Sequence, residues 1–355
     1  MSTKVAIIGT GWGANVQVPI FRQAGLEIAA LWARSQEKAR NVAAELSIPF
    51  GSTDYEAVIN QPGVELVSIT TPPGLHAQMT AAALEAGKHV LCEKPTALNA
   101  AEAELMLSHA QAHPDQVTLI DHELRFLPAL QKMRALIGEG FIGEVYSFSG
   151  TSWDEWAIGP NIRWHWWHDS EAGGGSLGAV GSHLLDTATF VLDRPVEAVS
   201  GDLHTFIREQ ADSSGAKRPV TSDDFFTLRL RFGGDVTGLL QSNGISPGLS
   251  IFHLIAVGSD GTLIFDGSQL LSHRINSSEP EAIETANEVT IPNGLSDNVW
   301  VRGTILLATA LRTALETGDH SALSPAASFT DGLHVQHVLD AARGSHDTGS
   351  WIELI

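Results

Sequence analysis

A glycine-rich turn near the N-terminus constrains the fold of this chain more than any other feature. The sequence GTGWGA at residues 9–14 follows an apolar run at residues 5–8 and precedes a helical pattern. In this GxGxxA arrangement the first glycine permits a tight turn, the second lets the backbone approach a pyrophosphate, and the alanine allows close packing of helix on strand. The helix start offers free N–H groups to phosphates. The predicted dinucleotide-binding turn consists of Gly9, Gly11, Trp12, Gly13 and Ala14.

The first third of the chain alternates short apolar runs with helical periodicity, as βαβ units do. The apolar runs predict strands at residues 5–9, 27–32, 66–70, 89–92 and 117–121. Helical patterns lie at residues 16–24, 36–46, 75–86 and 100–112. Runs that are apolar on both faces are typical of a parallel sheet covered by helices on both sides. We therefore predict a Rossmann domain, with a doubly wound parallel sheet, over residues 1–122.

Beyond residue 122 the pattern changes to β-branched and aromatic runs of period two, separated by glycine-rich turns. These runs predict strands at residues 144–150, 198–207, 225–232, 236–241, 254–257 and 351–354. Helical patterns lie at residues 298–315 and 332–342, and the polar stretch 209–218 predicts a loop or hairpin tip. The sequence thus predicts an α/β protein whose second domain, residues 123–355, is an α+β domain with a mostly antiparallel sheet.

The end of the second predicted strand bears on the choice between NAD and NADP. An acidic residue there binds the ribose 2′-hydroxyl, whereas an arginine accommodates a 2′-phosphate. Here Arg34 and Ser35 follow the strand, no carboxylate precedes Glu37, and Lys38 lies one helical turn farther on. Arg34, Ser35 and Lys38 are therefore predicted to bind the 2′-phosphate, which favours NADP(H) and leaves NAD(H) possible. The alternative is that Arg34 is a solvated charge that stacks on adenine.

The charge balance excludes several classes of partner. Acidic residues number 41 against 21 basic ones, giving a formal net charge of -20. A polyanion of this size is repelled by nucleic acid and by anionic lipid, so neither is an expected partner. No apolar run approaches the roughly 20 residues that span a bilayer, and the N-terminal residues lack the pattern of a signal peptide. The single cysteine, Cys92, excludes an intrachain disulfide, and we expect a cytoplasmic protein.

With the glycine turn, further segments resemble the glucose–fructose oxidoreductase/inositol dehydrogenase/rhizopine-catabolism (Gfo/Idh/MocA) family. They are TPPGLH at residues 71–76, CEKP at 92–95, the block from GGGSL to GSHLLD at 173–186, and FTDGL at 329–333. The resemblance covers nearly the whole chain. It implies an oxidoreductase that uses NADP(H) or NAD(H) on a sugar, polyol or related hydroxy or keto compound. It also implies a homo-oligomer, a dimer or tetramer, formed through an open sheet face.

The resemblance assigns roles to individual residues. Lys94 falls on the family's active-site lysine and His183 on its catalytic histidine. Lys94 follows the C-terminal end of a strand, where ligands bind in open α/β sheets, and its ammonium can stabilise alkoxide character. His183 suits general acid–base chemistry, although a surface lysine and a core histidine are the alternative interpretations. The other cofactor contacts predicted beyond the glycine turn and residues 34–38 are Thr71, Pro72, His76, Glu93, Lys94 and His122.

One position departs from the family's pattern. Typical members carry an aspartate four residues before the histidine, and this chain has Ala179 there. Three interpretations are open: Lys94 and His183 suffice without the aspartate; another acid takes over the role, with Asp121, Asp154 and Asp169 as the candidates; or catalysis has been lost. Two functions therefore stay open: a dehydrogenase or reductase, and a non-catalytic dinucleotide-sensing regulatory protein.

Five of the nine tryptophans fall within residues 153–167, with histidines interleaved. Indole faces pack on the C–H faces of sugars and histidines hydrogen-bond hydroxyls, so this segment predicts a carbohydrate pocket; an aromatic core or a subunit contact is the alternative. A zinc site from three of the histidines is conceivable, but without a cysteine cluster or HExxH motif no metal is predicted. The predicted substrate-binding residues are Lys94, Asp121, Trp164, His165, Trp166, His168 and His183.

Overall fold

The computed structural model describes residues 2–286 and 288–354, so positions 1, 287 and 355 of the predicted domains lie outside the described residues. The strands are β1 (Lys4–Ile8), β2 (Glu27–Trp32), β3 (Phe50–Ser52), β4 (Val64–Ile69), β5 (His89–Cys92), β6 (Thr118–Ile120), β7 (Val145–Trp153), β8 (Val196–His204), β9 (Glu209–Ala211), β10 (Lys217–Pro219), β11 (Phe225–Phe232), β12 (Val236–Asn243), β13 (Ile251–Gly258), β14 (Gly261–Phe265), β15 (Leu270–Arg274), β16 (Glu281–Ile283) and β17 (Ile352–Glu353). The α-helices are α1 (Val18–Ala24), α2 (Gln36–Glu45), α3 (Tyr55–Ile59), α4 (His76–Glu85), α5 (Ala100–Ala112), α6 (Pro128–Gly138), α7 (Ser182–Leu192), α8 (Val299–Thr317) and α9 (Phe329–Thr348).

The described chain divides into two compact units. The first holds the residues up to Leu127 together with Glu288–Leu333, and the second holds residues 128–286 together with the chain from His334 onward. The first unit contains the parallel sheet and the second contains the larger, mostly antiparallel sheet. The predicted fold class is confirmed.

The sheet of the first unit has the strand order β3-β2-β1-β4-β5-β6, with parallel pairing throughout. The order reverses between β1 and β4, which is the switch point of a doubly wound fold. Successive side chains of a strand point to opposite faces, so Ile7 belongs to the apolar cluster on one face and Ile8 to the cluster on the other. Both faces are therefore buried, as the continuous apolar runs predicted.

The two units differ from the predicted domains of residues 1–122 and 123–355, because the segment Glu288–Leu333 belongs to the first unit. Its helix α8 contributes Leu307 and Leu311 to the same buried cluster as Val18 and Phe21 of α1. Burying these apolar side chains against α1 removes them from water, which attaches the segment to the first unit. The predicted second domain of residues 123–355 is consequently interrupted by a segment that belongs with the Rossmann sheet.

The sheet of the second unit has the strand order β16-β15-β14-β13-β7-β12-β11-β8-β17. Its pairs are antiparallel, except that β12 runs parallel to β7. Along β11, Leu228 and Leu230 are buried while Arg229 and Arg231 are exposed, the alternation of a sheet with one covered face. The polar stretch predicted as a loop or hairpin tip forms the hairpin of β9 and β10.

In the part of the chain that the structure describes, no helix is both long and apolar enough to cross a membrane.

Candidate active site

The glycine turn is shaped by its packing against Thr70, at the end of β4. A Cβ atom at Gly9 or Gly13 would collide with the Thr70 side chain, and Gly9 has a φ of +136° that L residues rarely adopt. A Cβ at Gly11 would meet nothing within 4 Å. The first and third glycines are therefore required by the protein's own packing, whereas Gly11 leaves open space beside the backbone. That open space fits the close approach of a dinucleotide pyrophosphate.

Arg34, Ser35 and Lys38 lie at the start of α2, where Ser35 precedes the first residue of the helix. Arg34 and Lys38 are exposed, and the Ser35 hydroxyl oxygen accepts a hydrogen bond from the Lys38 backbone N–H at 3.3 Å. Ser35 is thus the N-cap of α2, and its hydroxyl hydrogen can still be donated to a ligand. Among the described residues no carboxylate pairs with Arg34. This group of side chains, beside a helix N-terminus, suits an anion.

His76 is a buried residue of the first unit. Its side chain is fully buried, and its ring nitrogens contact the carbonyl oxygens of Thr71 at 2.8 Å and Thr96 at 3.2 Å. The predicted cofactor contact of His76 stays a prediction, and the side chain has no exposed surface in this structure. Burial lowers the pKa of His76, although the two carbonyls oppose the shift. His76 links the turn after β4 to the segment after Lys94. Thr71 is buried as well, and Pro72 is partly exposed.

Acidic side chains lie near Lys94 at the ends of two neighbouring parallel strands. Glu93 and Lys94 follow β5, Asp121 follows β6, and the Asp121 N–H donates to the Cys92 carbonyl at 2.7 Å. Burial raises the pKa of Asp121 to about 6, against the opposing effects of Glu93, Gln17 and Lys94. Burial and the Asp121 charge raise the pKa of Glu93 well above its usual value.

Glu123, which the sequence interpretation missed, completes the cluster. Burial raises its pKa well above the usual value, and the charges of Asp121 and Glu93 add to the shift. The Lys94 ammonium stabilises the ionised form of all three carboxyl groups. Buried carboxyl groups close to one another disfavour each other's ionised form, which is the direction of all three pKa shifts.

Asp121 and His122 are only 1% and 2% exposed. Direct substrate binding by Asp121 and a cofactor contact by His122 stay predictions, since both side chains are as deeply buried as that of His183. Asp121 accepts a hydrogen bond from the side-chain amide of Gln17 at 2.9 Å. Gln17, also missed from sequence, is fully buried at the end of a π-helical turn, Gly13–Gln17, that continues from the glycine turn. The sequence does carry one sign of this buried role, because Gln17 is a glutamine within an otherwise apolar helix face.

In the second unit, His183 lies in the first turn of α7 and is 2% exposed. A π-helical turn, Leu177–Gly181, leads into this helix, and it contains Ala179, whose N–H donates to the Gly175 carbonyl at 3.0 Å. Asp186, one helical turn beyond His183, is completely buried. The methyl group of Ala179 offers no hydrogen bond to a ligand or to an imidazole.

The glycine block before His183 is also explained by packing. A Cβ at Gly174 would collide with the carbonyl oxygens of Trp166 and Trp167, and one at Gly175 would collide with the Asp223 carboxylate. Asp223 accepts the Leu177 N–H through its other oxygen. Burial raises the pKa of Asp223 to about 7, against the opposing hydrogen bond from Leu177. No sequence pattern connects Asp223 with this loop, so sequence reasoning missed it.

Two of the acids considered as replacements for the missing aspartate cap local turns. Asp154 accepts the Trp156 N–H at 3.0 Å, and Asp169 accepts the Glu171 N–H at 3.1 Å. Burial raises the pKa of Asp154. The third, Asp121, belongs to the cluster around Lys94 in the first unit.

The tryptophan segment forms a partly buried aromatic cluster. Trp167 packs edge-on against Trp156 at 5.6 Å and against Trp166 at 5.9 Å between ring centroids. The Trp164 indole N–H donates to the Pro219 carbonyl at 2.8 Å, and the Arg218 guanidinium lies 3.4 Å from its ring centroid. Trp164 is therefore anchored to the hairpin of β9 and β10.

His165 and His168 pack edge-to-face, with ring centroids 4.7 Å apart. Nδ1 of His168 accepts the His165 N–H at 3.2 Å, and Nδ1 of His165 accepts the Trp167 N–H at 3.4 Å. Burial lowers the pKa of both histidines, that of His165 to about 4, so both are neutral at pH 7. His168 is 3% exposed and His165 is exposed, so only His165 of the pair presents surface for a ligand.

Comparison with known proteins extends over the whole chain. The model of an oxidoreductase family with an NAD-binding Rossmann fold, GFO_IDH_MocA, matches residues 3–120, and the model of the GFO/IDH/MocA C-terminal domain matches residues 130–264. Glucose-fructose oxidoreductase domain-containing protein 2 of Bos taurus is 33% identical over 99% of this chain and 93% of its own length.

Two solved structures are similar throughout. An oxidoreductase domain protein from Kribbella flavida has 29% sequence identity and a TM-score of 0.85, with all of both chains covered. A levoglucosan dehydrogenase in complex with NADH and L-sorbose has 25% identity and a TM-score of 0.88, over 100% of this chain and 99% of that one.

Proposed function

Because the chain belongs to the GFO/IDH/MocA oxidoreductase family, we propose that it transfers a hydride between a nicotinamide dinucleotide and a secondary alcohol or ketone carbon of a sugar, polyol or related compound. The observation that carries the proposal is the glycine turn, in which Gly9 and Gly13 are required by packing while Gly11 leaves room for a ligand. The nicotinamide ring, when bound, accepts or supplies the hydride.

Lys94 positions the reacting oxygen in this proposal. Its ammonium follows the C-terminal end of β5, at the edge of the parallel sheet where ligands of such folds bind. It stabilises negative charge that develops on a carbinol oxygen as hydride leaves. His183 acts as the acid–base group, taking the hydroxyl proton during oxidation and returning it during reduction. The exposed His165 and the partly exposed Trp164 and Trp166 contribute to sugar binding.

Of the two nicotinamide dinucleotides, we assign NADP(H) as the preferred cofactor and NAD(H) as the second choice. Arg34, Ser35 and Lys38 at the start of α2 offer donors and positive charge for a 2′-phosphate, and no acidic residue occupies the strand end. The proposed substrate class is supported by the similarity to a levoglucosan dehydrogenase and by the aromatic cluster, whose indole faces suit the C–H faces of a pyranose.

Ala179 favours a second candidate, a regulatory protein that binds the dinucleotide without catalysis. The two functions are separated by following reduced-nicotinamide absorbance with a panel that includes levoglucosan, L-sorbose, glucose, fructose and inositol, with NADP and NAD each supplied. Turnover that disappears in Lys94→Ala supports the enzyme. Calorimetric dinucleotide binding without turnover of any compound in either direction supports the regulator.

A further inference from the structure

Four consecutive residues of the second unit, Thr221–Asp224, lie just before β11 and contact the end of the tryptophan segment. We call them the linking segment. The Ser222 hydroxyl donates to the Trp167 carbonyl at 2.7 Å, and the Thr221 N–H donates to the His168 carbonyl at 3.0 Å. Ser222 is 3% exposed. Because a buried hydroxyl that loses its acceptor is left unsatisfied away from water, this contact fixes the backbone of the tryptophan segment.

The next residue of the linking segment, Asp223, holds the loop that leads to α7. Its carbonyl oxygen accepts the Ser176 N–H at 2.8 Å, and one oxygen of its carboxylate accepts the Leu177 N–H at 2.7 Å. The Ser176 hydroxyl also donates to the hydroxyl of Ser242 in β12 at 2.7 Å, and both serines are buried. Two consecutive residues of the loop are therefore anchored, one of them by the Asp223 side chain.

The glycine block allows the loop to lie against both parts of this arrangement. A Cβ at Gly174 would collide with the carbonyl oxygens of Trp166 and Trp167, whereas a Cβ at Gly175 would collide with the Asp223 carboxylate. The block is thus in close contact with the tryptophan segment through one glycine and with the linking segment through the next. The tryptophan segment, the linking segment and the loop form one packed group within the second unit.

The anchored loop continues directly into the helix that carries His183. The π-helical turn Leu177–Gly181 closes where the Ser182 N–H donates to the Leu177 carbonyl. His183 is the next residue of the chain. Since Asp223 holds the N–H of the residue whose carbonyl closes this turn, the position of the His183 backbone depends on the Asp223 carboxylate.

We propose that the linking segment has two separable functions: Ser222 positions the tryptophan segment for substrate binding, and Asp223 positions His183 for acid–base chemistry. The inference rests on the proposed function, because it adds two residues to that same site. Both are positioning residues, since each acts through the backbone of another residue. The carboxylate that this chain lacks at Ala179 therefore differs in kind from that of Asp223, which holds the loop and not the substrate.

Hydrogen–deuterium exchange of the whole, free chain tests the anchoring without a substrate. Peptides that cover residues 164–169 and 176–185 report the two anchored parts separately. Asp223→Ala removes the carboxylate that holds the Leu177 N–H, so amide exchange at 176–185 should rise about tenfold or more, and exchange at 164–169 less than about threefold. Ser222→Ala should do the converse, with a rise of about threefold or more at 164–169 only.

The matched control is Asp266→Ala, which removes another carboxylate of the second unit that accepts backbone N–H groups, those of Ser268 and Gln269. Its exchange at 176–185 should equal that of the wild type. Equal exchange at 176–185 in Asp223→Ala and Asp266→Ala overturns the anchoring, and a similar rise in both peptides for either variant overturns the separation. If Asp223→Ala does not fold, Asp223→Glu replaces it, because the added methylene displaces the carboxylate from the Leu177 N–H.

Once a substrate is found, the same variants should separate kcat from KM. Asp223→Ala should lower kcat about tenfold or more while KM changes less than about threefold, because His183 is displaced. Asp223→Asn keeps an oxygen for the Leu177 N–H and should recover most of this loss. Ser222→Ala should raise KM about threefold or more and leave kcat within about threefold. Kinetic changes that do not separate in this way overturn the two assignments. The expected exchange pattern in a protein that turns over no compound supports the anchoring and refutes the proposed function, so the two fail separately.

Discussion

Asp223 accepts the backbone N–H of Leu177 at 2.7 Å, which anchors the loop that leads to His183. Burial raises the pKa of this carboxyl from an ordinary value of 3.8 to about 7. Between these values the folded protein binds more protons than the unfolded chain, so the stability contributed by this group falls as pH rises from about 4 to 7.

Asp223→Asn should therefore flatten the pH dependence of stability. The amide keeps an oxygen toward Leu177 and cannot ionise, so the Tm of the variant should fall less than that of the wild type between pH 4 and 7. Differential scanning calorimetry across that range measures it. Asp54→Asn, at the N-cap of α3, is the control. Parallel wild-type and Asp223→Asn curves would show that burial of Asp223 has no effect on the titration.

Gly11→Ala should separate cofactor binding from folding. The new methyl meets no atom of the protein, so Tm should change by no more than a few degrees. It fills the space left for the pyrophosphate, so NADPH affinity should fall about tenfold or more. Gly13→Ala, whose methyl collides with Thr70, should instead lower Tm strongly. Unchanged NADPH binding by Gly11→Ala would remove this turn from the cofactor site.

Arg34→Ala should weaken the binding of NADPH more than the binding of NADH. A hydrogen bond to a charged group contributes about 1.5–3 kcal/mol, which corresponds to about a 10- to 100-fold loss of affinity. NADH, which lacks the 2′-phosphate, should be affected much less. Calorimetry with both dinucleotides measures the difference, and Arg40→Ala, farther along α2, is the control. Equal wild-type affinities for NADPH and NADH, unaltered by Arg34→Ala, would refute the NADP(H) preference.

Trp166→Ala should raise KM for the sugar without abolishing NADPH binding. The indole is partly exposed and packs against Trp167, so its loss removes apolar contact area from the predicted pocket. Trp351→Ala, which removes an indole lying under Arg231, is the control. Wild-type kinetics of folded Trp166→Ala would assign this tryptophan to packing alone.

Lys94→Ala and His183→Ala should each lower kcat by about 10² to 10⁴ while NADPH still binds. Ala179→Asp restores a carboxylate in the turn before α7 and should alter the pH profile or the substrate preference. Stopped-flow and steady-state kinetics on a confirmed substrate measure these effects. Near-wild-type kcat in both alanine variants would move the acid–base role to Asp121, His122, His165 or Asp169.

Local pattern predicted much of the fold. The bounds of β2, β5, α5 and β11 agree with the predicted runs at residues 27–32, 89–92, 100–112 and 225–232. At the start of α5, the Asn99 side chain accepts the Glu102 N–H, while Glu102 accepts the Leu98 N–H. Each of these elements is determined mainly by its own residues.

The sequence did not reveal contacts between distant residues. Helix α3 is short, and β3 runs for three residues, too few to establish a period. The attachment of α8 to α1 depends on apolar faces separated by some 280 residues of sequence. In the candidate site, motif matching predicts roles for Lys94 and His183, but the Gln17–Asp121 and Leu177–Asp223 hydrogen bonds join residues with no common motif. For His76, the motif position predicts a ligand contact, and burial of the side chain and its contacts with two carbonyl oxygens could not be read from that motif.

The return of Glu288–Leu333 to the first unit sets the order in which the protein can fold during synthesis. When the ribosome has made residue 127, the Rossmann strands are present but the α1 face that α8 later covers, around Val18 and Phe21, is still bare. That face stays open while the second unit is translated. The nascent chain therefore carries an uncovered apolar surface until α8 has been made, and apolar surface exposed during synthesis favours aggregation.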